Sequence, residues 1–313
     1  MKKLLFASIF FAGVMVSADH HVMNLDELMA SFGWDFESSE IQTEKVSDGL
    51  YVLFGRGGNI AVSVGDDGVL IVDDQFPQMM PKIEAAIRGV GGASIDFVIN
   101  THWHFDHADG NLALGPAGTN IVAQENARTD MAKGGVVNMV RSKYGQPPYP
   151  KDALPKITYD ESMYMHYNGE RIDLLHFGPA HTTGDTAVIF RGHNAVHMGD
   201  VFNNTGYPFI DADSGGDIDG MIIFCQAALD QLDSDTLVIP GHGAVTGYAT
   251  MKAYIEMLTT VRDRVAKMID QGKSLKEVSA SNPTAGFEER YGDVSKSLGF
   301  IDRVYTSLKK KRK

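Results

Sequence analysis

This sequence predicts an α/β protein made of two mixed sheets packed together with helices outside, and three observations point to that class. Both halves of the chain carry short runs rich in β-branched and aromatic residues, each closed by a turn signal. Segments with apolar residues at helical spacing follow those runs. No stretch rich in proline or serine divides the 313 residues and no short-period repeat is visible, so a single domain is expected over 19–313. Its core is placed at about 41–259 and a helical C-terminal extension at about 260–313.

The first 18 residues read as a leader: Lys2 and Lys3, an apolar run, then Val16, Ser17 and Ala18 with small residues at a cleavage site. Export across an inner membrane to the periplasm is therefore expected, and because the apolar run is too short to span a bilayer and no cysteine follows it, no stable membrane anchor is. Strands are predicted at 41–46, 50–54, 60–64 and 69–72, separated by tight loops such as Ser47-Asp48-Gly49 and Gly55-Arg56-Gly57-Gly58-Asn59. A helix over 81–90 has Ile83, Ala86, Ile87 and Val90 on one face and stops at Gly91-Gly92. A buried strand follows at 96–100 and a helix at 125–133. The stretch 134–155, which contains Pro147-Pro148-Tyr149-Pro150, is expected to be an irregular loop or lid.

In the second half, 162–166, Asn168-Gly169 and 171–176 predict a hairpin, with further strands at 186–190, 195–198 and 236–239. Helices are predicted at 219–232 and 250–271, the latter with Met251, Tyr254, Met257, Leu258 and Val261 in register. The chain ends in Lys309, Lys310, Lys311, Arg312 and Lys313, a run expected to be solvated and assigned no function.

Composition narrows the function. Forty acidic residues outnumber 28 basic ones, a formal charge of −12, which disfavours a surface that tracks phosphates and hence a nucleic-acid partner. The one cysteine, Cys225, lies in an apolar helical run and is read as core; any metal must be held by His, Asp or Glu. No GxSxG elbow is present to support a serine nucleophile. What stands out is Thr101-His102-Trp103-His104-Phe105-Asp106-His107 at a strand end. His102 and His104 alternate on extended chain and face one way, and the turn after them can bring Asp106 and His107 to the other side of a small cavity. His181, Asp200 and His242 each sit with glycine on or near them in a loop after a predicted strand, giving five imidazoles and two carboxylates in all, enough for two metals. His20, His21, His166, His176, His193 and His197 lack such a context and are read as structural or exposed.

With Asp73 after the 69–72 strand, these ordered motifs resemble those of the metallo-β-lactamase fold hydrolase superfamily, over about residues 41–259. The resemblance implies an αββα sandwich with two zinc ions per chain at one edge of the sheets, the first on His102, His104 and His181, the second on Asp106, His107 and His242. It makes Asp200 a bridging or completing ligand and Asp73 an outer acceptor that orients a ligand. Zinc with three neutral imidazoles keeps an open position and lowers the pKa of bound water from about 15.7 to near 7, making that water the expected nucleophile. Asp106 is read as a ligand first and a proton relay second.

The same resemblance implies a small-molecule substrate. Export and compactness favour opening of a β-lactam amide ring, and with it a part in antibiotic resistance. The β-lactamases that this sequence resembles usually carry cysteine or serine at the position of Asp200, and one group has a lysine a few residues on, where this chain has Val201, Phe202, Asn203 and Asn204. An aspartate is the pattern of the wider hydrolases, so a lactone or thioester is the alternative, and the harder ligand also admits iron or manganese. A non-catalytic periplasmic metal-binding protein is a further alternative. Trp103, Arg56, Asn59, Asn203 and Tyr207 are the candidate substrate contacts; the oligomeric state is not legible.

Overall fold

The computed structural model describes residues 21–312; the expected leader lies outside them. In chain order the strands are β1 (Val22–Met23), β2 (Gln42–Ser47), β3 (Leu50–Phe54), β4 (Ile60–Gly65), β5 (Gly68–Val72), β6 (Ile95–Asn100), β7 (Asn120–Gln124), β8 (Gly135–Asn138), β9 (Lys143–Gln146), β10 (Ile157–Tyr159), β11 (Ser162–Tyr167), β12 (Glu170–Leu175), β13 (Ala187–Phe190), β14 (Ala195–His197), β15 (Leu237–Ile239) and β16 (Thr246–Gly247). The helices are α1 (Leu25–Phe32), α2 (Met80–Gly89), α3 (Phe105–Ala108), α4 (Asn111–Ala117), α5 (Glu125–Lys133), α6 (Ile218–Leu229), α7 (Tyr248–Asp270), α8 (Leu275–Ala280), α9 (Glu288–Tyr291) and α10 (Val294–Lys310).

A seven-stranded sheet runs β10-β7-β6-β5-β4-β3-β2 and a six-stranded sheet runs β11-β12-β13-β14-β15-β16. Period-two alternation decides how they stack. In β4, Ala61 faces the second sheet together with Val52, Leu70 and Ile99, against Leu174, Val188 and Phe190, whereas Val62 faces outward with Ile71 onto Ile83 and Ile87 of α2. The outer side of the second sheet, with Ile189, Val196 and Val238, is covered by Met221 and Phe224 of α6, Tyr254 and Leu258 of α7, and Phe300 and Val304 of α10. The layers are therefore helix, sheet, sheet, helix, as expected.

Two pairs of parallel strands position the site, β5 beside β6 in one sheet and β14 beside β15 in the other. Parallel partners end on the same edge, so the residues that follow them (Asp73, His102, Asp200 and His242) are delivered to one place.

The stretch 134–155 corrects the expectation of irregular chain: β8 and β9 form an antiparallel hairpin, and β9 also pairs with β1 in a three-stranded sheet. Pro147, Pro148 and Pro150 come after β9, so their missing N–H groups fall outside the ladder. Cys225 is buried and its thiol is pushed up by that burial, as a core residue requires.

Candidate metal centre

Beyond β6, Thr101 to His104 stay extended and α3 begins at Phe105, which turns Asp106 and His107 back toward the strand end. His102 is fully buried. Its Nδ1 lies 3.0 Å from the Thr101 hydroxyl, and its Nε2 has no partner at all. His104 uses Nε2 on Asp211 Oδ2 at 3.1 Å, which turns Nδ1 to within 2.9 Å of His181 Nε2. His181 is oriented in turn by the Phe209 carbonyl, 2.9 Å from its Nδ1. Three ring nitrogens thus converge from three sides.

The second group is built on Asp73, whose backbone sits at φ +64°, a left-handed conformation that a non-glycine residue adopts at a cost of about 1–3 kcal/mol. Asp73 Oδ1 accepts the Thr101 N–H at 2.7 Å, and Oδ2 takes the Thr101 hydroxyl at 2.8 Å and His107 Nδ1 at 2.6 Å. His107 Nε2 is thereby aimed at His242 Nε2, 3.2 Å away, and Asp106 Oδ2 lies 3.2 Å from the same His242 nitrogen. Asp200 stands between the groups: Oδ1 is 3.2 Å from His107 Nε2 and 3.4 Å from His242 Nε2, and Oδ2 is 3.7 Å from His181 Nε2.

Imidazole nitrogens at such separations need a shared proton or a metal ion between their lone pairs. A buried, unpartnered nitrogen on His102 carries a desolvation cost for the same reason. The donor atoms of His102, His104 and His181, of His102, His107 and Asp200, and of Asp106, His107 and His242 form three groups, each within 4.8 Å, so the residues present fit bound metal. Glycines make the approach possible. A Cβ on Gly58 would lie 2.1 Å from the His107 ring and one on Gly241 2.0 Å from Asp200 Oδ1.

The protonation states divide along the same line. Burial, with imidazole neighbours adding to it, holds His102 well below the ordinary histidine range, and burial lowers His181. Burial also acts downward on His107 and His242, but Asp200 and Asp106, joined by Asp73 at His107, outweigh it; His107 rises well above that range and His242 reaches about 10. Burial acts upward on Asp200, where His242 and His107 prevail and hold the carboxyl well below the usual range.

His104, Asp106, Asp200 and His242 form the floor of a cavity of about 610 Å³, with His102, His107 and His181 buried outside its lining, and its wall includes Phe32, Trp34, Met139, Tyr207, Phe209 and Phe300. Asn203 and Tyr207 line it, but three other sequence-level contacts do not. Trp103 is buried behind the site among Ala127, Met131 and Tyr149, its ring 5.2 Å from that of His104 but outside the cavity lining. Arg56 donates Nε to Ser39 Oγ at 2.7 Å and lines a separate surface groove. Asn59 is buried and spends its amide on the Pro240 and Gly243 carbonyls at 2.9 and 2.8 Å, bracing the loop that carries His242.

Comparison with known proteins agrees with this geometry. Residues 53–244 match the family model described as the metallo-beta-lactamase superfamily, which is well over half of the chain. The chain belongs to the metallo-β-lactamase superfamily. Within it, the chain is 25% identical over 181 residues to the 2,4-dinitroanisole O-demethylase subunit alpha of Nocardioides sp., covering 57% of this chain and 51% of that one. It is 25% identical over 184 residues to the mitochondrial hydroxyacylglutathione hydrolase of Saccharomyces cerevisiae, covering 56% of this chain and 57% of that one. The chain thus spans little more than half the length of these relatives. A metallo-β-lactamase from Pontibacter korlensis superposes with a TM-score of 0.58 at 14% identity, over 70% of this chain and 99% of the other. The DIM-1 metallo-β-lactamase does so at 0.57 and 19%, over 71% and 98%, which shows a shared fold.

Sequence reading did not find Asp211 as the partner of His104, since the two are 107 residues apart. The 207–211 segment was legible only as a candidate wall. Asp211→Asn is expected to weaken metal binding about 10- to 100-fold, because an outer carboxylate fixes both ring orientation and tautomer. Metal titration against a competing chelator checks this; unchanged affinity would make Asp211 a mere packing partner.

Proposed function

We propose that this superfamily member is an exported zinc hydrolase that binds two ions per chain and opens the amide ring of a β-lactam. The observation that carries the hydrolase reading is the convergence of seven donor side chains, with an unpartnered His102 Nε2 among them, four of the seven lining a cavity large enough for a small molecule. When bound, the metals supply Lewis acidity and lower the pKa of water. The chain's own residues do the rest. Asp73 fixes His107 with Nε2 toward the site, and Asp211 and the Phe209 carbonyl fix His104 and His181. Burial acts upward on Asp106, but His107 and His242 outweigh it and keep the carboxylate ionised, so beyond ligation it is suited to take a proton at the cavity edge and pass it to a leaving nitrogen or oxygen. Export, read from the leader, would place the enzyme where such antibiotics are met. Among the described residues no helix is long and apolar enough to cross a membrane.

A second reading, hydrolysis of a lactone or thioester, is favoured by Asp200, whose two oxygens face the two groups, and by the likeness to a hydroxyacylglutathione hydrolase. The test is the rate on a chromogenic cephalosporin, a lactone and a thioester, with zinc-loaded protein before and after chelation. A kcat/KM above about 10⁴ M⁻¹s⁻¹ on the cephalosporin, lost with chelator and regained with zinc, supports the first reading. Turnover of only a lactone or thioester transfers the assignment. No turnover above the zinc-only background on any of the three leaves a metal-binding protein.

A further inference from the structure

The wall of the cavity carries a charge pattern that the metal centre does not explain. In a chain with a formal charge of −12, the cavity is faced by two carboxylates, Asp106 and Asp200, both in the donor groups. It is also faced by two cations, Arg141 at the tip of the β8–β9 hairpin and Lys296 in the first turn of α10. Other arginines nearby are paired, Arg262 with Asp219 and Asp263 and Arg303 with Asp213 and Asp302. Arg141 and Lys296 are in no ion pair with an acidic residue among the described residues. The Asp293 carboxylate, the acid nearest Lys296 in sequence, is occupied in capping α10 through the Lys296 N–H and the Ser295 hydroxyl.

Both cations are exposed at the cavity rim, and each is tethered there by a contact of its own. Arg141 Nη2 donates to the Ser295 carbonyl at 2.5 Å, which ties the hairpin tip to the residue before Lys296. A second tie runs from Asn138 Nδ2 to Asp213 Oδ2 at 2.7 Å, the carboxylate that also takes Arg303 of α10. The stem of Lys296 lies against Gly292, where a Cβ would come within 2.6 Å of it. Between Asn138 and Arg141 the backbone passes through Val140 at φ +71°, a conformation that a β-branched residue rarely adopts, with its N–H taken by Asn138 Oδ1 at 3.1 Å. The remaining wall on this side is apolar, with Val137, Met139 and Phe300 opposite Phe32 and Trp34.

We infer that Arg141 and Lys296 anchor the anionic group of an amphiphilic substrate whose apolar body lies on this wall while its reactive bond rests on the metal-binding floor. The last clause rests on the hydrolase reading above; the anchor itself does not. A carboxylate matches the planar fork of Arg141 and the point charge of Lys296, both of which face the cavity that the apolar wall closes. The substrate class is therefore an anion with a hydrophobic body, and neutral or cationic carbonyl compounds are disfavoured.

Binding and turnover test this separately. The probes are 8-anilinonaphthalene-1-sulfonate and its neutral counterpart N-phenyl-1-naphthylamine, titrated by fluorescence into zinc-loaded wild type and into Arg141→Gln/Lys296→Gln. The expected result is about a tenfold loss of affinity for the sulfonate, with little change for the neutral probe. The charge-conserving Arg141→Lys/Lys296→Arg variant should restore most of the loss, and Lys267→Gln, an exposed cation on α7, should leave both probes unchanged. For any carbonyl substrate that is turned over, the Gln variant should raise KM about tenfold for an anionic ester and leave the KM of its neutral methyl ester in place. Equal affinity of wild type and Gln variant for the sulfonate overturns the anchor even if hydrolysis is found. A selective loss of sulfonate binding in a protein that hydrolyses nothing keeps the anchor and removes the hydrolase reading.

Discussion

His102→Ala is expected to lose one equivalent of bound metal and to lower turnover by more than the about 10- to 100-fold that removal of an outer partner costs. The expectation follows from what that side chain lacks. Every other imidazole of the donor groups has both nitrogens within reach of a side chain or carbonyl, or is aimed at a second imidazole, whereas His102 Nε2 is fully buried and bonded to nothing. A group in that position destabilises the fold unless something binds it. Removing the ring should therefore cost the metal-free protein little beyond the space the ring filled, while the metal-loaded protein should lose both affinity and the thermal stabilisation that metal confers. Metal content by elemental analysis, the shift in Tm on adding zinc, and the hydrolysis rate together check this, with the exposed His166→Ala as control. A variant that keeps its full metal content and its zinc-dependent Tm shift would show that His102 is a packing residue.

That set of converging donor side chains was legible in the sequence because it is concentrated. His102, His104, Asp106 and His107 fall within six positions, and His181, Asp200 and His242 each follow a strand with a glycine within three residues, so local pattern carries most of the site. The strands that deliver them were legible for a related reason: β3 coincides with the expected 50–54 run and β4 to β6 differ by a residue at their ends, since each buries alternate side chains between layers. The hairpin of β8 and β9 was not. Residues 135–138 and 143–146 contain two glycines and no sustained alternation, and the prolines just beyond them dominate the local signal. The interior strand β7, second from one edge of its sheet, was also missed, because Asn120–Gln124 is short and buried on both faces, which erases the period of two. Arg141, Lys296 and Asp211 share a different obstacle. Each acts on the site from a segment far along the chain, and only the packing of α10 against the hairpin and of the 207–211 loop against His104 brings them to one cavity. Arg56 and Asn59 show the converse, residues close in sequence to a metal-facing glycine whose polar atoms are used up by backbone and by Ser39.

Metal uptake at the two groups is expected to respond differently to pH. In the metal-free protein His107 and His242 have raised pKa values, so near neutral pH both hold a proton that a metal ion must displace. A raised pKa favours the protonated, metal-free form, so affinity at the group containing Asp106, His107 and His242 must fall as pH falls. While both rings are protonated the expected slope is about tenfold per pH unit for each proton released, or about 100-fold for the pair, continuing until pH approaches the value of about 10 reached by His242. The carboxylates add nothing to the slope, since Asp106 and Asp200 are held in their ionised forms. At the other group His102 and His181 have lowered values, so they are already neutral and give up no proton. The first metal should therefore show a shallower dependence on pH than the second, whose affinity rises as pH rises. Calorimetric titration with zinc in buffers of different ionisation enthalpy reads the proton count directly, with about two protons expected for the second equivalent. Equal pH slopes for both equivalents, or no proton release with the second, would mean that the carboxylates around His107 and His242 do not hold those protons, and that the order of loading is set by geometry alone.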